Sequence, residues 1–426
     1  MSSRWLIFAL SLTAGVLLVT LPVRAVSPAF LDKAVLAQVR EQLHNHQASE
    51  PTQQAWQQLK RQADKALPLP LMSVTEKGMV PPSGTKHDYL SLSAYWWPDP
   101  QHPQGRWVRR DGEINPASKN NQSDGVRLAA FTARVQTLTL AWYFSGEQKY
   151  ADRAMALLRY WFINPASKMN PNLNFAQGVE GVAPGRSGGI LDGRYLATRV
   201  VDSVIILRSA PGWQQTDEQG IRVWMQDYLS WLKNSKAGKR EARAKNNHGS
   251  WYNVQVAGIA WYLEDMPLIR QQVRAARSRM QQQIAADGSQ PLELQRTRSF
   301  HYSYFNLQAL VTLAVLADKA GAGDLWRPDV KDKVAIVTAL DFMAPYIDSS
   351  RAWPWPTRDR LGQRLIPLLS QADSSLNSDH YQQWVKQADF TTEDNAQRGA
   401  SDNARRDTWL LSLPRFARCQ VGRKPC

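Results

Sequence analysis

Apolar positions in this chain recur mostly at intervals of three and four residues, the spacing of one face of a helix. From Phe30 to about Leu43, the residues Leu31, Ala34, Val35, Ala37, Val39 and Leu43 keep that register, and Thr52–Leu67 repeats it. Between Pro68 and Ser123 regular patterning stops. That stretch is rich in Pro, Gly, Ser and Asp, with Tyr89, Tyr95, Trp96, Trp97 and Trp107 interleaved. An irregular segment this long is usually functional or disordered, and its aromatic content argues against disorder. From Asp124 onward the helical pattern returns. Val126–Phe144 and Glu147–Phe162 read as a pair joined by Ser-Gly. Leu191–Leu207, Asp217–Leu232, Ser250–Leu263, Pro267–Ala286 and Phe300–Ala320 follow, with weaker segments at Val334–Ile347, Leu365–Ala372 and His380–Gln387. Asn164–Gly189 and the basic, polar Lys233–Lys245 read as loops. Alternation with period two persists nowhere, and no short repeat is present. Serial amphipathic helices in pairs predict an all-α chain, with helical hairpins arranged in a ring.

The N-terminus adds a separate element. One Arg precedes an apolar run from Trp5 to about Val19, and Val-Arg-Ala ending at Ala25 supplies a cleavage site. The run is too short for a membrane span, so residues 1–25 are expected to be a secretory signal. Residues 26–426 would then form one domain, periplasmic or secreted, with no membrane attachment after cleavage. Cys419 and Cys426 are the only cysteines and could close a small terminal loop in an oxidising compartment.

Charge narrows the partner. The formal net charge is +15, falling to +13 when Arg4 and Arg24 leave with the signal. Such a surplus favours a polyanion. The basic residues are scattered and no nucleic-acid-binding signature occurs, so nucleic acid is not the expected partner. An acidic polysaccharide fits better, because sugar rings stack on aromatic planes and the chain has 17 Trp and 13 Tyr.

Two segments could carry chemistry. In KNNHGSWYNVQ (Lys245–Gln255), Asn246, Asn247 and His248 sit between a polar loop and an apolar helix, where backbone N–H groups are unpaired. Helix capping alone would explain one Asn. In ELQRTRSFHYSYFN (Glu293–Asn306), Arg296, Arg298, His301, Tyr302 and Tyr304 fall within nine residues, again before an apolar helical run. A polyuronate lyase must neutralise the C5 carboxylate, remove H5 and protonate the O4 leaving group. Asn and Arg suit the first task, His and Tyr the others, and a Tyr beside Arg can have a lowered pKa. No metal-ligand spacing, P-loop, dinucleotide fingerprint or Gly-x-Ser-x-Gly elbow is present. Gly185–Gly189 (GRSGG) follows no predicted strand. A glycosidase needs two opposed carboxylates, and among Asp88, Asp99, Glu180, Asp192, Glu293 and Asp359 no pair stands out.

The KNNHGSWY and RTRSFHY blocks, with DYLSLSAYWWPDP at Asp88–Pro100, together resemble the alginate lyase superfamily of helical-toroid polysaccharide lyases. NLNFAQG at Asn172–Gly178 and GILD at Gly189–Asp192 agree in order. The resemblance runs from about Asp88 to about Pro356. It implies an (α/α) toroid of roughly five to seven hairpins, a groove across one end, and an Asn-His-Arg-Tyr set needing no metal or cofactor. By position these are Asn247, His248, Arg296 and Tyr302. Arg298 and Tyr304 are the alternatives to the last two. Tyr89, Tyr95, Trp96, Asn172, Gln177, Asn246, Arg298, His301 and Tyr304 are candidate substrate contacts. The expected activity is β-elimination of alginate, polymannuronate or glucuronan, giving unsaturated uronate ends. A non-catalytic polyuronate-binding protein and a toroidal glycoside hydrolase are the competing readings.

Overall fold

Two kinds of helix, distinguished by how they bury their side chains, build the ring. A computed structural model of the chain describes residues 27–102, 104–358, 360–388 and 411–412. Residues 1–25, read above as a secretory signal, and the two cysteines lie outside these residues. Helices α1 (Lys33–His44), α2 (Glu50–Ala66), α4 (Gln148–Phe162), α6 (Gln215–Asn234) and α9 (Met266–Gln283) each bury one stripe and turn Gln, Lys and Arg outward. Helices α3 (Asp124–Ser145), α8 (Asn247–Tyr262) and α11 (Ser299–Ala320) bury residues on all sides. So does α5 (Val201–Leu207), which continues a π-helical turn at Leu196–Val200. These four form the inner layer. α3 packs on α2, α4 and α5, and α8 packs on α5, α9 and α11. Shorter helices α12 (Ile336–Met343) and α13 (Ile366–Leu376) pack on α11, and α14 (Gln382–Val385) packs on α13. The result is an all-α toroid of paired helices. Among the described residues no helix is long and apolar enough to cross a membrane.

Three features differ from the sequence reading. Lys233–Lys245 is not a loop: α7 (Lys236–Ala242) forms there, capped by Ser235, whose Oγ accepts from Gly238 N at 2.9 Å. α8 starts at Asn247, three residues earlier than its apolar run, because Asn246 caps it and accepts from His248 N at 3.3 Å. The irregular stretches also contain two small sheets. β1 (Leu90–Leu92) pairs in parallel with β4 (Phe175–Gly178), and β2 (Trp96–Trp97) pairs antiparallel with β3 (Val108–Arg109). These strands are too short to show alternation. The β1–β4 pair nevertheless ties two distant loops together.

The inner layer is also clasped at its opening segment. Asp202 on α5, wholly buried, accepts from Ala29 N at 2.5 Å, Phe30 N at 3.0 Å and Leu31 N at 2.8 Å. Lys319 on α11 donates to Pro28 O at 3.1 Å and Leu31 O at 2.7 Å. Burial pushes the Asp202 carboxyl up to about 6, with Lys319 and the three N–H groups opposing it. Asp202→Ala would leave three N–H groups without their acceptor and Lys319 without its counter-charge. It is expected to cost roughly 3–5 kcal/mol, seen as a lower urea midpoint. An unchanged midpoint would remove the clasp from any account of stability.

Candidate active site

The cleft forms where the N-terminal ends of α3, α8 and α11 meet the two small sheets. A cavity of about 630 Å³ is lined there by Gly125 and Val126 of α3, Asn246 and His248 at α8, and Arg296 and Tyr302 at α11. Tyr95, Trp96 and Arg109 from the β2–β3 side complete one wall, and Gln177, Arg186 and Asp192 the other. Three helix N-termini at one cavity make it favourable to negative charge even before side chains are counted.

Tyr302 and Arg296 form the centre of one wall. The Arg296 guanidinium carbon lies 3.8 Å from the Tyr302 ring centroid. Asp111, from the turn after β3, takes Arg296 Nε at 3.2 Å and Nη2 at 2.8 Å. It also accepts from Thr297 N at 3.3 Å and Thr297 Oγ1 at 3.0 Å. Among the described residues Arg296 Nη1 makes no further hydrogen bond, which leaves it for a ligand. Gly112 (φ +79°) permits this turn: a Cβ there would lie 2.4 Å from Thr297 Oγ1. Tyr302 Oη donates to Tyr95 Oη at 3.0 Å, and Arg298 Nη1 donates to the same Tyr95 oxygen at 3.3 Å. The lowered phenol pKa expected for Tyr302 is not found. Burial and the neighbouring Tyr95 raise it well above the ordinary tyrosine value, outweighing Arg296.

His248 lines the same cavity as Tyr302. Its Nδ1 is 2.5 Å from Glu241 Oε1, on α7. Gly188 leaves room for the ring, since a Cβ there would approach His248 Cε1 to 3.0 Å. Asn247 is wholly buried behind the wall. Its N and Nδ2 donate to the two oxygens of Glu293, each at 2.7 Å. Its second amide hydrogen makes no bond among the described residues. Burial raises the Glu293 carboxyl, and the two Asn247 donors, Arg296 and His248 oppose that.

The remaining candidates divide. Trp96 lines the cavity with Arg186 5.6 Å from its ring centroid, and Asn246 lines it while capping α8. Gln177, at φ +48°, lines it and donates to Asp192 Oδ1 at 3.0 Å. Tyr89 is not a substrate contact: it is fully buried and donates to Asp192 Oδ2 at 2.9 Å from behind. Asn172 is held by Asp88 at 3.2 Å and does not line the cavity. Arg298, His301 and Tyr304 line a second cavity of about 500 Å³, between α3, α8 and α11. There His301 Nδ1 is 3.2 Å from Arg364 Nη1. Tyr302 and Tyr304 separate because two residues along a helix rotate a side chain about 200°. Arg296 rather than Arg298, and Tyr302 rather than Tyr304, are therefore the pair at the cleft.

Several lining groups carried no sequence signal. Arg109, Lys119, Arg186 and Arg194 join Arg296 to bring five cations to the cavity. Burial and nearby Arg109 lower the Arg186 guanidinium from its usual value. Asp192 is the only carboxylate in the lining, and it accepts from Tyr89, Ser91 and Gln177. GRSGG could have flagged Arg186. Asp111 and Glu241 sit in segments with no apolar pattern and could not have been found by one.

The alginate lyase family model matches residues 73–353, and the chain belongs to that family. Among solved structures, an alginate lyase from Bacteroides ovatus is 30% identical with a TM-score of 0.80, over 91% of this chain and 98% of that one. Alginate lyase A1-III from Sphingomonas species A1 is 14% identical with a TM-score of 0.54, over 91% of this chain and 95% of that one. A variant of A1-III complexed with a tetrasaccharide is 15% identical with a TM-score of 0.53, over 91% of this chain and 95% of that one. A search of curated proteins found no match.

Burial alone would raise the Asp111 carboxyl. Arg296, Thr297 N–H and Arg109 outweigh it and hold the carboxyl well below the usual range. Because the folded value is depressed, the stabilisation is present above the unfolded value of about 3.9 and is lost as pH falls. Asp111→Asn is expected to lower stability at pH 7 by about 1 kcal/mol. In thermal melts the gap to the native chain should stay constant above roughly pH 5 and narrow below roughly pH 4. A gap that instead widened on acidification would contradict the pairing.

Proposed function

We propose that this chain cleaves an acidic polyuronate, alginate rich in mannuronate or a glucuronan, by β-elimination. Membership of the alginate lyase family makes polysaccharide lyase chemistry the starting point. The observation that carries the finer reading is the Arg296–Tyr302 stack and His248 lining one cavity with five cations and one fully hydrogen-bonded carboxylate. The A1-III variant complexed with a tetrasaccharide supports an oligosaccharide as ligand of a fold of this kind.

The reaction needs charge stabilisation at the uronate carboxylate. In this reading Arg296 Nη1 meets that carboxylate with His248 beside it, while Asn247, buried behind the wall, holds the start of α8 through Glu293. Charge developing on the uronate carboxylate as H5 leaves is then stabilised by fixed donors. A base takes H5, the C5–H electron pair becomes the C4=C5 double bond, and the C4–O4 bond breaks toward oxygen. Tyr302, held neutral by burial, is a ready donor of the proton that O4 requires. Where H5 and O4 lie on one face, as in mannuronate and glucuronate, the phenolate left as Tyr302 gives its proton to O4 can take H5, which restores the phenol. The Arg296 guanidinium beneath its ring stabilises the phenolate formed. Where they lie on opposite faces, as in guluronate, His248 is the base.

The competing readings meet specific obstacles. A glycoside hydrolase needs a second carboxylate across the cavity from Asp192, and the lining contains none. A binding protein would not require Tyr302, so one variant separates it from a lyase. Tyr302→Phe is expected to lower the rise in ultraviolet absorbance on polymannuronate by roughly 10²–10⁴-fold, with helix content and melting temperature retained. Full activity in that variant would remove Tyr302 from the mechanism. Absence of a rise for the native chain on every polyuronate would leave the binding reading.

A further inference from the structure

The partner of His248 lies on α7, a helix with almost no apolar pattern. Glu241 is 3% exposed, and α7 buries little else besides Gly238. Gly238 packs so tightly that an added Cβ would lie 1.8 Å from Leu232 O. The helix is thus pressed against the end of α6, and Glu241 is fixed with it. The His248 side chain is one-quarter exposed and lines the cavity, while its Nδ1 lies 2.5 Å from Glu241 Oε1. An ionised carboxylate only accepts hydrogen bonds, so Nδ1 must carry the hydrogen. That leaves Nε2 as the ring nitrogen available to a substrate.

We propose that Glu241 is the positioning residue of the site: it fixes the tautomer of His248, presents Nε2 to the uronate and sets a negative charge against the ring. The proposal rests on the lyase reading for its kinetic consequence but not for its geometry. A buried carboxylate that orients a histidine recurs wherever the histidine must act through its other nitrogen. Several other charged groups surround the ring. Glu293 of α10 (Pro291–Leu294) stands behind Asn247, and Asp192 lies in the Ser187–Gly193 turn. Arg186, Arg109, Arg194 and Arg296 line the same cavity. Glu241 is the one of these within hydrogen-bond distance of the ring.

Two substitutions separate positioning from simple support. Glu241→Gln keeps a side-chain acceptor for Nδ1–H and removes the charge. Glu241→Ala removes both. Nitrogen-15 NMR of the full chain labelled at histidine reads the tautomer and titration of His248, and the pH profile of kcat/KM on polyuronate reads the consequence. With Glu241→Gln, the Nδ1–H tautomer should persist, and both the His248 titration and the acid limb of kcat/KM should move to lower pH. With Glu241→Ala, the tautomer preference should be lost and kcat should fall roughly 10- to 100-fold, with KM changed less. An unchanged His248 titration in the Gln variant would overturn the proposal, and that variant decides the matter even if the Ala variant does not fold. If the native chain cleaved no polyuronate, the lyase reading would fail while the NMR comparison still judged Glu241.

Discussion

A buried carboxylate, Glu293, joins the two stretches of chain on which the site is built. Its two oxygens hold the backbone and side chain of Asn247, so the first turn of α8 is fixed to the segment that leads into α11. His248 follows directly on one side of this junction, and Arg296 lies three residues beyond Glu293 on the other. Burial makes the charged form of Glu293 expensive, and the hydrogen bonds from Asn247 are what offset the expense. Without that grip the helix starts would be free to move apart, and the spacing between His248 and Tyr302 would have no reason to persist. A polar network continues behind it. Asn306 donates to Gln290 at 2.7 Å, Gln290 to Ser303 O at 3.1 Å, and Gln283 to Ser250 at 3.1 Å, which ties α8, α9 and α11 in register.

The surface of the cleft uses the opposite strategy. Its cations are gathered side by side, and the nearby carboxylates are already engaged. Asp111 is committed to Arg296 and Thr297, and Asp192 to three donors. A negatively charged ligand therefore meets a surplus of positive charge, since Asp111 pairs with Arg296 and Arg109 while Lys119, Arg186 and Arg194 also line the cavity. Like charges held together in a partly buried cavity are costly, and a polyanion relieves that cost when it binds.

Periodicity predicted nearly every long helix within a few residues, because each buries a stripe or a full circumference of apolar side chains. It failed at α7, whose buried face is a glycine and a glutamate rather than a hydrophobic stripe. It failed also in the loops, where strands of two to four residues are too short to alternate. Polar density before a helix pointed to the two segments that converge on the cleft. It did not separate Tyr302 from Tyr304 or Arg296 from Arg298, since that depends on which way each side chain leaves the backbone. Tyr89 misled for a related reason: an aromatic in a polar loop suggests a stacking surface, yet this one packs inward and spends its hydroxyl on Asp192. Asp111 meets Arg296 across 185 residues of chain, a pairing that no local reading of the sequence contains.

The clasp at Ala29–Leu31 has a bearing on the order in which the molecule is put together. Its acceptor, Asp202, is 173 residues downstream of Ala29, and its second anchor, Lys319, is 291 residues downstream of Pro28. A nascent chain thus presents its opening segment long before either anchor exists. Local hairpins such as α3–α4 and α8–α9 can form as they emerge. The ring itself can close only after α11 is complete, when one short stretch is gripped from both sides. Contacts of such sequence separation slow folding far more than they weaken the finished structure. Closure of the toroid is on this basis the late step, and the first residues of the fold are among the last to find their place.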